Sequence, residues 1–170
     1  MACLSDKDIL NKIMSEKPLI KDYINLEKQI QPAGFDLTLN SVYSISSHGE
    51  IHDSNIKEDI LPKYEEIKTI NELYNLSKGS YLIIYNEIIN LPNNLMALVF
   101  PRSTLIRMGA TIYTAVWDPG YNGRGRGLLN VFNEKGIILR KNSRIAQIVF
   151  IKLTSIPNKV YSGKYIKEGL

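Results

Sequence analysis

The chain has 170 residues, 44% of them hydrophobic, enough for one domain with a real core and too little for a second of full size. Its formal charge of +4, from 21 basic and 17 acidic residues, suits an anionic ligand but falls short of a strong nucleic-acid signature. Cys3 is the only cysteine, no basic-then-apolar leader is present, and no apolar run nears the roughly 20 residues of a membrane helix, so a reduced, soluble, cytoplasmic protein is expected.

The first predicted element is a short helix. Ser5 is an N-cap candidate, and Ile9, Leu10, Ile13 and Met14 share one helical face that should pack on the body before the helix stops near Pro18. From Gln31 onward short runs of Val, Ile, Tyr and Thr alternate with Gly, Asn, Pro and Ser, the pattern of an all-β sandwich or barrel. Strands are expected near residues 35–39, 42–46, 81–85, 95–100, 110–116, 127–133, 136–140 and 145–153. Tyr64 to Leu76 suits either a helix, through Ile67, Ile70, Leu73 and Leu76, or a long loop with strand character. Residues 158–170 lack a core-forming period, which predicts a C-terminal tail that is mobile or docked on something else. The expected organisation is thus one domain over residues 1–170, with a helix within residues 1–18.

The chemistry gathers between Pro101 and Asn133. Pro101-Arg102-Ser103 ends the apolar run Leu95 to Phe100, so a rigid strand delivers a guanidinium and a hydroxyl to an element end. Arg102 and Arg107 suit bidentate contacts to phosphate oxygens; they equally suit a solvated surface with Ser103 as an ordinary cap. Asp118, ahead of Pro119-Gly120, is placed to deprotonate a water, although Asp-Pro-Gly is also a plain turn sequence. The Tyr121 ring can lie on a sugar face or cover the end of a barrel. Gly123-Arg124-Gly125-Arg126-Gly127 looks like one unit of an RNA-binding tract, but a basic hairpin loop is preferred and no stable nucleic-acid partner is expected. Gln147, inside the apolar strand Arg144 to Phe150, needs a polar partner, for which a phosphate is a candidate. His48 and His52 lack a third ligand, so no metal site of the protein's own is expected. A GxxxxGK[ST] phosphate loop and the zinc-deaminase Cys-x-x-Cys are both absent.

Four stretches taken together resemble the motifs of the dUTPase and dCTP deaminase superfamily, most closely its archaeal-type dUTPases. They are Gln31 to Leu37, Pro101 to Leu105 with Arg107, Trp117 to Gly123, and Asn142 to Gln147. The resemblance covers most of the chain. It implies a distorted all-β barrel of jelly-roll type, assembled as a homotrimer with active sites between subunits and with the tail closing over bound nucleotide. It implies Asp118 as the base for water attack on dUTP, with Arg102, Ser103, Thr104, Arg107 and Gln147 on the phosphates. Tyr121 would lie under the deoxyribose, and the hairpin carrying Ala110, Thr114, Ala115 and Val116 would read the uracil edge. Magnesium would be bound mainly through substrate phosphates, and Asp36 would orient Arg102 or a metal-bound water. The tail departs from the glycine-rich family segment, offering Tyr161, Lys164 and Tyr165 instead.

One position separates the two chemistries of the superfamily. The deaminases carry a glutamate on the strand after the third motif, where this chain has Asn130, and an amide cannot exchange a proton as a carboxylate does. Hydrolysis of dUTP to dUMP and pyrophosphate is therefore the expected activity. The alternatives are dCTP deamination, alone or coupled to hydrolysis, and a non-enzymatic nucleotide- or RNA-binding barrel.

Overall fold

Ser5 starts the first helix through a reciprocal cap. Its Oγ accepts from the Asp8 N–H while the Asp8 carboxylate accepts from the Ser5 N–H at 3.1 Å. In the computed structural model, which describes residues 2–170, that helix, α1 (Asp6–Ile13), follows β1 (Ala2–Cys3) and buries Ile9 and Ile13. Next come β2 (Ile20–Lys21), α2 (Leu26–Gln29), β3 (Ile30–Gln31), β4 (Gly34–Ile45), β5 (Tyr64–Glu66), β6 (Leu73–Leu76), β7 (Gly79–Asn90) and β8 (Leu95–Pro101). The chain continues through α3 (Ser103–Arg107), β9 (Ala110–Tyr113), β10 (Asn122–Val131), β11 (Ile137–Arg140) and β12 (Arg144–Lys152).

Ten strands form one antiparallel sheet along the path β1-β12-β4-β7-β10-β9, with β2, β3, β5 and β8 on its flanks; β6 and β11 pair separately. The sheet curls because β4 belongs to two neighbours. Phe35 to Thr38 pair with β12, and Leu39 to Ser44 pair with β7, with a register break between Leu39 and Ser41. Two strands were expected here, over 35–39 and 42–46; the bulge instead bends one continuous strand. Inward residues of β4, β7 and β12, among them Phe35, Leu37, Tyr85, Ile148 and Phe150, close the core inside the curl.

Of the two readings open for Tyr64 to Leu76 the one with strand character holds, and one loop expectation is corrected. Tyr64 to Leu76 forms no helix: it splits into β5 and β6 around Asn71 and Glu72, whose φ values of 52° and 63° turn the chain, and β6 buries Tyr74 and Leu76. Gly123 to Gly127 is no hairpin loop but part of β10, paired with β7 on either side of a register break at Gly125. Its glycines point inward and its arginines outward. A Cβ on Gly125 would collide with the Trp117 ring, and one on Gly127 would sit 2.7 Å from the Tyr85 hydroxyl. Among the described residues, no helix is long and apolar enough to cross a membrane.

Candidate active site

The candidate residues fall into two groups, at opposite ends of β8. At the C-terminal end, Pro101 closes the strand and Arg102 enters α3 with extended backbone. Its Nε lies 3.1 Å from Asp36 Oδ2, and Arg144 Nη1 reaches the same oxygen at 3.2 Å. Arg102 Nη1 also donates to the Arg144 carbonyl at 3.3 Å. Asp36 is 1% exposed; burial pushes its carboxyl above the usual range, and the two guanidiniums pull it partly back. Ser103, Thr104 and Arg107 stand exposed on α3, and Gln147 faces Asp36 across the β4–β12 ladder. Arg144, absent from the set chosen on sequence, is the second cation of this end.

At the other end Trp117 bridges to Ala97, near the start of β8, and Asp118 follows it. A cavity of about 460 Å³ opens there, lined by Asp118, Tyr121, Ala115, Val116, Tyr161 and Tyr165 from the chosen set. Trp117, Tyr121 and Tyr161 make an edge-to-face series with centroids 5.2 and 5.8 Å apart. Burial under this series, with the Glu168 charge nearby, pushes the Tyr121 hydroxyl well above its ordinary range. Ala110 instead lies in the core, and neither it nor Thr114 lines the cavity. Lys164 stays outside the cavity, its ammonium 5.2 Å from the Tyr165 ring centroid.

The tail is docked on its own chain. Tyr161 N–H donates to the Pro119 carbonyl at 2.7 Å, Lys167 N–H to the Asn122 carbonyl at 2.6 Å, and Arg124 N–H to the Glu168 carbonyl at 2.7 Å. The Glu168 carboxylate pairs with Arg126 Nε at 2.6 Å, bringing two unforeseen charges into the cavity. Alternating Gly and Arg has the period of a strand with one face pressed against something large, and that pattern could have revealed Arg126.

Asn130, on the outward face of β10, donates to Ser80 Oγ at 3.2 Å and does not line the cavity. Glu134 lies in the following turn, 2.5 Å from Lys78 Nζ. No group of three or more His, Cys, Asp or Glu side chains suited to a metal ion occurs among the described residues. A separate cavity of about 730 Å³, lined in part by Leu19, Leu91 and Leu153, shares no lining residue with the one at Asp118.

Residues 3–153 match the family described as dCTP deaminase-like. The chain belongs to that family. Within this dCTP deaminase-like group it is 46% identical over 170 residues to a probable deoxyuridine 5′-triphosphate nucleotidohydrolase of Archaeoglobus fulgidus, spanning 100% of this chain and 99% of the relative. It is 43% identical over 141 residues to the deoxyuridine 5′-triphosphate nucleotidohydrolase of Methanocaldococcus jannaschii, spanning 82% and 88% of the two chains. Among solved structures, the 2′-deoxycytidine 5′-triphosphate deaminase of Agrobacterium tumefaciens superposes with a TM-score of 0.66 at 21% identity. The match covers 87% of this chain and 47% of the deaminase, so the chain spans about half of that structure, and it speaks for the fold.

Proposed function

We propose that the protein is a dUTP diphosphatase, converting dUTP and water into dUMP and pyrophosphate in the cytoplasm. The names of the archaeal relatives, one of them matched over 99% of its length, support this reading. Asn130 carries the choice against deamination: by the motif resemblance an amide occupies the sequence position where the deaminases carry a proton-transferring carboxylate, and the nearby Glu134 is paired with Lys78.

Asp118 takes a proton from the water that attacks the α-phosphate; the new P–O bond forms as the bond to the bridging α,β oxygen breaks, and pyrophosphate leaves. Arg102 grips phosphate oxygens with Ser103, Thr104, Arg107 and Gln147, while Asp36 fixes the Arg102 fork. Tyr121 underlies the deoxyribose, and backbone groups of residues 110–116 read the uracil edge. Tyr161 and Tyr165 cover the nucleoside, and Lys164 swings in toward the triphosphate. Asp36 has Oδ2 committed to two guanidiniums and no carboxylate cage exists among the described residues, a donor set that fits magnesium held through substrate phosphates and water. When bound there, magnesium neutralises phosphate charge.

Asp118 and Arg102 of one chain are separated by roughly 15–20 Å, the rise of five or six strand residues, too far to act on one α-phosphate. A site between subunits of a homotrimer brings one chain's Asp118 to a neighbour's Arg102. Phe100, Ile106, Tyr113 and Val116, each more than half exposed, supply apolar surface for such contacts. The test is chromatography of dUTP and dCTP incubated separately with magnesium. Pyrophosphate and dUMP from dUTP alone are expected; ammonia from dCTP, or salt-sensitive RNA binding without hydrolysis, would overturn the reading.

A further inference from the structure

Glu87 is a fully buried carboxylate that the reaction above does not use. It lies on β7 two residues past Tyr85, the last partner of β4 before that strand crosses to β12. At this corner the Thr38 N–H finds Glu87 Oε2 at 2.9 Å. Glu87 Oε1 accepts from Gln29 Nε2 at 2.7 Å and lies 2.6 Å from Thr38 Oγ1. Gln29 Nε2 also donates to the Asp36 carbonyl at 2.8 Å, so one carboxylate braces both sides of residues 36–38.

The adjacent Asn86 extends the brace. Its Nδ2 donates to Thr38 Oγ1 at 2.9 Å and to Asn142 Oδ1 at 3.0 Å, tying β4 to the turn that delivers Arg144. The Asp36 carboxylate meets the two guanidiniums through one oxygen, so its aim depends on how the β4 backbone is held. An apolar residue would fill the same core position without the cost of desolvating a charge, so packing alone does not account for an acid here.

We propose that Glu87 is a positioning residue for the phosphate end: by bracing residues 36–38 it aims Asp36, and through Asp36 the guanidiniums of Arg102 and Arg144. The proposal rests on the assignment of Arg102 to phosphate binding. Glutamine fits the volume of Glu87 but not its bonding. Both carboxylate oxygens accept from N–H donors, so an amide sets N–H against N–H in either orientation.

The experiment measures inhibition of dUTP hydrolysis by pyrophosphate and by deoxyuridine in the full-length protein, with thermal melting of each variant. Glu87→Gln is expected to weaken pyrophosphate inhibition and raise KM for dUTP on the order of tenfold, the scale of a misaimed binding group, while deoxyuridine inhibition stays unchanged. A lowered melting temperature with both inhibition constants unchanged would mean a purely structural role and overturn the proposal. Arg102→Ala is the benchmark. If it leaves pyrophosphate inhibition intact, the assignment of Arg102 fails; if it weakens that inhibition and Glu87→Gln does not, only the positioning role fails. Should Glu87→Gln not fold, Thr38→Val removes one contact to the carboxylate and keeps the backbone N–H. It should shift pyrophosphate inhibition in the same direction by a smaller factor, and a folded Thr38→Val with wild-type pyrophosphate inhibition would overturn the proposal.

Discussion

The two ends of β8 are built by different means. The end proposed to grip phosphate is a polar lattice in which Asp36, Glu87, Gln29 and Thr38 are all buried and hydrogen-bonded, so its arginines are held without a ligand. The end proposed to hold the nucleoside is an aromatic pocket completed by the last ten residues, whose backbone bonds to β10 at Asn122 and Arg124. A preformed grip suits a substrate group that is the same in every triphosphate. A wall made by a tail suits the part that must be enclosed and then released.

The largest expected effect tests whether these ends serve one reaction. Asp118→Asn should lower turnover by about 10²–10⁴-fold, the usual contribution of a general base, and leave deoxyuridine and pyrophosphate binding near wild type. Mixing that variant with Arg102→Ala then tests how the ends meet. If each site joins two chains, random mixed trimers regain about a quarter of wild-type sites, because one interface pairing in four holds both intact groups. If each site lies within one chain, the mixture stays as inactive as its components, and the intersubunit assignment fails.

How far each end was legible follows from the same contrast. The α1 cap, most strands and the turns that carry Arg102, Asp118 and Tyr121 declare themselves by local pattern, while roles for those three residues come only with the four motifs read together. The brace around Glu87 does not: Thr38 and Gln29 lie 49 and 58 positions from Glu87 and meet it only because β4 changes partners at Leu39. Ile67 and Ile70 are spaced as a helix would space them, yet a few residues on, β6 finds a partner in β11, about 60 positions later, and tertiary pairing outweighs local period. The Gly-Arg tract misled because its glycines answer to Trp117 and Tyr85, which lie elsewhere in the chain.

That tract allows the ends to be perturbed separately. Gly125→Ala drives a methyl into the Trp117 ring, beside Asp118, and should destabilise the fold by about 1–3 kcal/mol, as overpacking does. Displacing Trp117 should weaken deoxyuridine inhibition and spare pyrophosphate inhibition, the reverse of Glu87→Gln. Calorimetric melting and the same two inhibition constants check this. Equal losses for both ligands would mean that the ends are mechanically one unit.

The smallest effect concerns what holds the tail. The Glu168–Arg126 contact looks like a latch, yet burial pushes the Glu168 carboxyl above its ordinary value despite the guanidinium beside it, so desolvation outweighs the pairing. A carboxyl raised in this way binds its proton more tightly docked than free. Docking should therefore tighten as pH falls toward 4.5, the ordinary value, and loosen as pH rises above it, opposite to an ion-pair latch. Glu168→Gln should accordingly shift docking by less than about 1 kcal/mol and flatten this pH dependence. Hydrogen exchange at the Lys167 amide, which donates to the Asn122 carbonyl, reads the docked population. Loss of its protection in Glu168→Gln at neutral pH would show that charge, and not the aromatic and backbone contacts, completes the nucleoside end.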